Sequence, residues 1–230
     1  MDEPESHRRG RSVSVVPPYS PLSLDNLAAS VAEAMLKRGA VSMSALEPFA
    51  GGGLYALYYV GKFPAYRKIR RMNEGGLFGM PIYVGKATPS GGRKGKAAPL
   101  SAMAGALFGR LREHAGSVSA ASNLALEDFF CRFLVVEDIW IPMSEGLLIA
   151  KFSPLWNVLI DGFGNHDPGS GRHAGLVPRW DVLHPGRKWA ERLRPREETG
   201  EDISREVVVF LDNLGAGPAM PLLLDDGENP

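Results

Sequence analysis

Apolar residues recur at helical spacing in Leu24, Leu27, Val31 and Met35, behind Ser23 as a cap and ahead of Gly39 as a stop, which predicts an opening helix. Its short stripe needs a partner surface, so it is expected to pack on the domain that follows instead of forming a second one. Next come two runs of β-formers closed by glycine, Gly53-Leu54-Tyr55-Ala56-Leu57-Tyr58-Tyr59-Val60-Gly61 and Pro81-Ile82-Tyr83-Val84-Gly85-Lys86. Each reads as a strand that delivers a phenol to a fixed place. About twenty residues separate them, too many for a hairpin loop, and the centre of this insertion, Ala65 to Asn73, reads as a short basic helix. In Leu100 to Ala115 the residues Leu100, Met103, Leu107 and Leu111 share one helical face, leaving Arg110 and His114 together on the adjacent one. A turn over Gly116 to Asn123 leads to a third strand, Phe129 to Val136, and Pro142 opens a helix that Pro154 stops after Phe152. Three strands among helices define an α+β fold.

Beyond Asn157 the pattern changes. Asp161 to Arg187 is rich in Gly, Pro, His and Arg with hardly any apolar periodicity, and reads as a long functional loop or a disordered one. Lys188 to Leu193 is expected to form a helical turn. Asp202 to Leu214 is expected to form a terminal helix capped by Asp202, although Val207-Val208-Val209 suits a strand equally. No internal repeat is present. The chain thus divides into a mobile N-terminal arm (1–22), a core with its opening helix (23–160) that carries the basic insertion 61–80, an extension (161–214) and an acidic tail (215–230).

Composition narrows the class. At 230 residues with 44% hydrophobic residues the chain can bury a core. A single cysteine, Cys131 among Phe129, Phe130 and Phe133, excludes an internal disulfide and reads as a core thiol, which suits a reducing cytoplasm. No apolar run approaches the roughly twenty residues of a membrane span, and Met1 to Ser6 is too acidic for a secretory signal. Net charge is zero, yet nine basic residues against one acid, Glu74, lie between Gly61 and Lys96. A basic face on a neutral protein can hold phosphates locally.

The two tyrosine motifs, followed in order by Arg110, His114, Glu145 and the Asn157 of Phe152-Ser153-Pro154-Leu155-Trp156-Asn157, resemble the GIY-YIG nuclease superfamily over about Gly51 to Asn157. Leu54 and Val84 replace the usual isoleucines of the motifs, and the basic insertion and the long region after Asn157 are larger departures. Gly162-Phe163-Gly164-Asn165-His166-Asp167-Pro168-Gly169 extends the likeness to the homodimeric type II restriction endonucleases that cut GC-rich palindromes of the CCGCGG type. The resemblance implies a small three-stranded antiparallel sheet flanked by helices, an N-terminal helix and long DNA-contacting loops.

It also implies roles. Phosphodiester hydrolysis needs a positioned water, positive charge on the phosphoryl oxygens and relief for the leaving oxygen. Tyr55 and Tyr83 would flank the phosphate, with Tyr55 orienting or deprotonating the water and Lys86 supplying charge to steady a phenolate. Arg110 would clamp the phosphate. His114 would relay a proton or tune Tyr55, unless it is an isolated surface histidine. Glu145, as the single carboxylate, would hold Mg²⁺, or Mn²⁺ in its place. Asn157 would hold a phosphate or a tyrosine hydroxyl. Arg93, Lys94 and Lys96 are expected on backbone phosphate. His166, Arg172, Arg179 and Arg187 are expected on the GC-rich site, with Trp180 and Trp189 as alternative anchors of the loop.

The partners implied are double-stranded DNA, a second copy of the chain and a host methyltransferase. Two other readings remain open at this point: a structure-specific or mobile-element nuclease of the same superfamily, and a DNA-binding protein with a degenerate nuclease fold.

Overall fold

Strand β2, Gly53–Tyr59, is buried at every residue, so both faces of the sheet it belongs to must be covered. In this computed structural model, which describes residues 18–88, 105–169 and 174–214, β2 pairs antiparallel with β3 (Tyr83–Ala87) on one side and with β4 (Phe129–Val135) on the other. A two-residue strand β1, Val41–Ser42, adds to the outside of β4. The described sheet therefore has four strands in the order β1-β4-β2-β3, one more than expected. The proposed arm lies outside the described residues except for 18–22, and the acidic tail, Arg93, Lys94, Lys96 and Arg172 lie outside them altogether.

Alternation along β2 sorts the layers. Leu54, Ala56 and Tyr58, with Val84 from β3, meet Ala32 and Met35 of helix α1 (Leu24–Leu36) and Ile141 and Leu148 of helix α4 (Ile141–Phe152). Ser23 caps α1, accepting from Asn26 N–H, and the helix packs on the domain as its stripe requires. Tyr55, Leu57 and Tyr59 point to the opposite layer, where Tyr66 and Ile69, Leu107 and Leu111, Trp156, Trp180 and Val207 bury with them. That layer holds helices α2 (Arg67–Asn73), α3 (Ala106–Ala120), α5 (Leu155–Val158), α6 (Arg179–Leu183) and α7 (Gly200–Asn213). Cys131 is buried, which pushes its thiol up to about 12 and leaves it inert.

Three expectations change. Helix α3 runs through Gly116 to Ala120, because Val118 is buried and continues the apolar face of Leu107 and Leu111. An isolated helical glycine costs about 1 kcal/mol, and that packing offsets it. The terminal element is a helix, but Thr199 caps it: its hydroxyl accepts from Asp202 N–H while Asp202 returns to Thr199 N–H, a capping box in which Asp202 is the third helical residue.

The described part of the segment after Asn157 is not a free loop. Phe163, Trp180 and Leu183 join the main core, and His184 ties the extension to it. His184 Nε2 shares a 2.6 Å hydrogen bond with Tyr66, its Nδ1 a 2.9 Å one with Asn123, and Trp156 Nε1–H donates to Tyr66 at 2.9 Å. Burial lowers His184 to about 3, so the ring is neutral. No helix among the described residues is long and apolar enough to cross a membrane.

Candidate active site

Tyr55 leaves β2 on the face covered by α3, and its ring lies over Gly85 of the neighbouring strand. A Cβ at residue 85 would collide with the Tyr55 hydroxyl, so the glycine of the second motif is demanded by the tyrosine of the first. The Tyr55 hydroxyl and His114 Nε2 share a hydrogen bond of 2.5 Å. The Tyr83 ring stands 6.1 Å from that of Tyr55 and 5.2 Å from His114. His114 is only 1% exposed, which removes the reading of an isolated surface histidine.

The electrostatics follow from burial. Desolvation, reinforced by the charges of Arg110, His166 and Arg187, holds the His114 pKa well below its ordinary value. Desolvation pushes the Tyr55 phenol upward, with Tyr83 adding to the effect and Arg110 opposing it. Both partners are therefore neutral near pH 7, and one proton lies between an oxygen and a nitrogen that can each hold it. Arg110 sits one helical turn before His114. Its Nη1 donates to Glu113 Oε2 at 2.9 Å and to His166 Nε2 at 2.7 Å, and its Nη2 donates to the Gly164 carbonyl at 2.9 Å.

Glu145 comes from the opposite layer, on α4. Lys86 Nζ lies 2.7 Å from Glu145 Oε2. Lys86 is opposite Leu54 in the sheet, so its side chain leaves the face away from Tyr55. The expected support of a Tyr55 phenolate by Lys86 gives way to a pairing with Glu145. The two halves of the site meet at Tyr83, whose phenol is pushed up by burial, opposed by Arg110 and reinforced by the Glu145 carboxylate.

Asn157 has a different task from the one expected. Its Oδ1 accepts from Val84 N–H and its Nδ2 donates to the Val84 carbonyl, both at 2.8 Å. Beside it Trp156 N–H donates to the Ile82 carbonyl at 2.9 Å. Together they close the outer edge of β3 as a further strand would, and fix the residue between Tyr83 and Gly85. The Asn157 amide is thereby committed to backbone instead of phosphate or phenol. Asn157→Ala leaves two backbone groups unpaired and is expected to cost about 2–4 kcal/mol, measurable by urea unfolding. Unchanged stability would remove this role.

The residues assigned to base reading divide. His166 is exposed at the rim of the site, 3.6 Å from Glu113 as well as beside Arg110. Arg179 is taken up by the Leu159 carbonyl, Glu198 and Glu206, and Arg187 is buried against Asp181. Neither of these two is placed to read a base, because internal acceptors already hold each guanidinium. Trp180, fully buried, anchors the segment to the core. Three members of the site had no role assigned from the sequence: Glu113, and Phe163 and Gly164 of the motif that begins at Gly162. Glu113 lies at i+3 from Arg110, a spacing that signals a helical ion pair.

A small antiparallel sheet that sets two tyrosines beside an arginine and a histidine of one helix, with a glutamate of another helix next to the second tyrosine, has the layout of a GIY-YIG nuclease. The chain matches the model of the Eco29kI GIY-YIG domain over residues 47–211, well over half its length, and belongs to that family. A search of curated proteins finds no match. Membership makes the protein a nuclease of the restriction-endonuclease type, with DNA as its substrate.

Proposed function

We propose that the protein is a type II restriction endonuclease that makes metal-dependent double-strand cuts at a short GC-rich palindrome of the CCGCGG type. The observation that carries this reading is the preformed Tyr55–His114 hydrogen bond beside Tyr83 and Arg110. A degenerate nuclease fold has no need to keep a buried proton-sharing pair. In the reaction a water attacks phosphorus and gives its proton to the Tyr55 oxygen, as Tyr55 passes its own proton to His114 Nε2. The P–O bond to the leaving oxygen breaks, and that oxygen takes a proton from solvent. Arg110 turns its fork from Gly164 and Glu113 to the phosphate.

Mg²⁺ suits Glu145. The carboxylate is partly open to water and already draws a cation, the Lys86 ammonium. No group of three or more His, Cys, Asp and Glu able to hold a metal occurs among the described residues, so water and phosphate oxygens would complete the shell. When bound, the ion supplies positive charge to the phosphoryl oxygens. Cutting both strands of a palindrome calls for a homodimer, and the host then needs a methyltransferase to protect its own sites.

The test is digestion of a large, sequenced, unmethylated DNA with Mg²⁺, followed by sequencing of the fragment ends. Discrete ends at one palindrome are expected. Scattered nicks would instead establish a structure-specific nuclease, and binding without cleavage a degenerate one.

A further inference from the structure

Arg187 is the most heavily engaged side chain of the extension, and all of its contacts lie behind the active site. The residue is 5% exposed. Nε and Nη2 each donate to the Asp181 carboxylate at 2.6 Å. Nη2 also donates to the Gly162 carbonyl at 2.9 Å, and Nη1 to the carbonyls of Phe163 and Asn165 at 3.1 and 3.2 Å. The rings of Trp180 and Trp189 lie 4.5 and 4.7 Å from its central carbon. The three carbonyls belong to one turn, centred on Gly164.

The other side of that turn is the nuclease site. Phe163 stacks on His114 at 4.5 Å and 14°, and meets Tyr83 edge-on at 5.0 Å. The Gly164 carbonyl, the one Arg187 leaves free, accepts from Arg110. A Cβ at Gly164 would stand 2.9 Å from Arg110 Nη2 and 3.1 Å from the Tyr83 hydroxyl, so the backbone is seated directly against these groups. A buried ion pair is poor value for stability alone, since well-packed apolar residues serve as well. A five-donor fork that gathers three carbonyls of one turn fixes a backbone path, which apolar residues cannot do.

We propose that Arg187 is a positioning residue of the nuclease site: by holding the carbonyls of Gly162, Phe163 and Asn165 it fixes the turn that presses Phe163 on His114 and presents Gly164 to Arg110. The proposal rests on the nuclease reading and deepens it, because it makes the extension a working part of the catalytic site. His114 is faced by Tyr55 from β2, Tyr83 from β3, Arg110 from its own helix, and His166 and Arg187 from the extension. Loosening the turn admits water to the ring, and removing Arg187 removes a cation. Both changes raise the His114 pKa.

The single variant Arg187→Met strands a buried Asp181 and so tests folding instead of the site. The informative variants are Arg187→Met with Asp181→Asn, which removes both charges, and Phe163→Leu, which leaves the ion pair intact and removes the ring stacked on His114. Two readouts are needed. One is the NMR titration of the His114 ring, assigned by its loss in His114→Gln. The other is single-turnover DNA cleavage beside DNA affinity.

The expected result is a His114 titration raised on the order of 1 pH unit and cleavage slowed about 10²-fold at unchanged DNA affinity in both variants. Arg187→Lys keeps the charge but not the fork and falls between them and the wild type. Folded variants that titrate and cleave as the wild type does, or that lose only thermal stability, overturn the proposal. Should the wild type itself fail to cut DNA, the nuclease reading falls, and the ring titration still decides whether Arg187 and Phe163 govern His114.

Discussion

Glu145→Ala is expected to abolish DNA cleavage in Mg²⁺ while DNA binding persists. On the proposed reading the carboxylate is the hard-oxygen ligand for a divalent ion, and no cluster of further ligands among the described residues could take over. Losing the several kcal/mol that such charge contributes in the transition state slows the reaction by about 10³-fold or more. Binding is expected to persist because Lys86, held on Glu145 at 2.7 Å in the wild type, keeps its positive charge when its partner goes.

Comparing cleavage with DNA affinity in the same preparation separates the two effects. Glu113→Ala is the matched control. That carboxylate pairs with Arg110 at 2.9 Å, so its loss removes one partner of the guanidinium and leaves Glu145 in place. Full activity of Glu145→Ala would take Glu145 out of the metal site, and loss of affinity in parallel with rate would make it a DNA-binding residue instead.

The parts of this site that are local in the chain were legible in the sequence. Tyr55 and Tyr83 sit in short β-forming runs, and Arg110 and His114 are four residues apart on a helix whose apolar face is written by Leu107 and Leu111. Such periodicities survive into the structure because one layer of packing enforces them. The capping box has readable spacing too, Thr199 to Asp202, yet the expected cap was Asp202 itself.

What escaped was the order of residues 161–169 and 174–187. That segment lacks a stripe because its few apolar anchors, Phe163, Trp180 and Leu183, are far apart in sequence, and its backbone is satisfied by guanidinium groups instead of a ladder. Arginines in a Gly- and Pro-rich stretch suit DNA contact by composition alone. Only three-dimensional contacts separate Arg187, turned inward to Asp181, from a residue free to meet a base. Lys86 was misassigned for a related reason: strand alternation gave its face, but which helix covered that face was a non-local fact.

The second large effect is expected at the Tyr55–His114 pair. Tyr55→Phe keeps the ring over Gly85 and removes the oxygen bonded to His114 Nε2, so binding and folding are retained and the proton path is lost. General acid–base steps of this kind contribute about 10²–10⁴-fold, the loss expected in single-turnover cleavage. The pH profile of the wild type tests the same arrangement without a mutation. On the proposed mechanism cleavage needs His114 neutral, and its pKa lies well below the usual value because the ring is buried near Arg110. The acid limb must therefore fall below the region around pH 6.5 where a solvated histidine would place it.

Stability runs in the same direction. Below about pH 6.5 the unfolded chain binds protons that the buried rings refuse, so stability is full above that pH and falls as the pH drops through the depressed values. For His184, lowered to about 3, the loss on reaching that pH is about 5 kcal/mol, enough to unfold a domain of ordinary stability. Urea unfolding at stepped pH then separates the two limbs. A rate that declines while the protein is still fully folded reports His114 itself, whereas a rate that tracks the folded fraction assigns the acid limb to unfolding. A limb centred near pH 6.5 in the folded protein would mean that water reaches His114, and the buried proton-sharing pair would have to be abandoned.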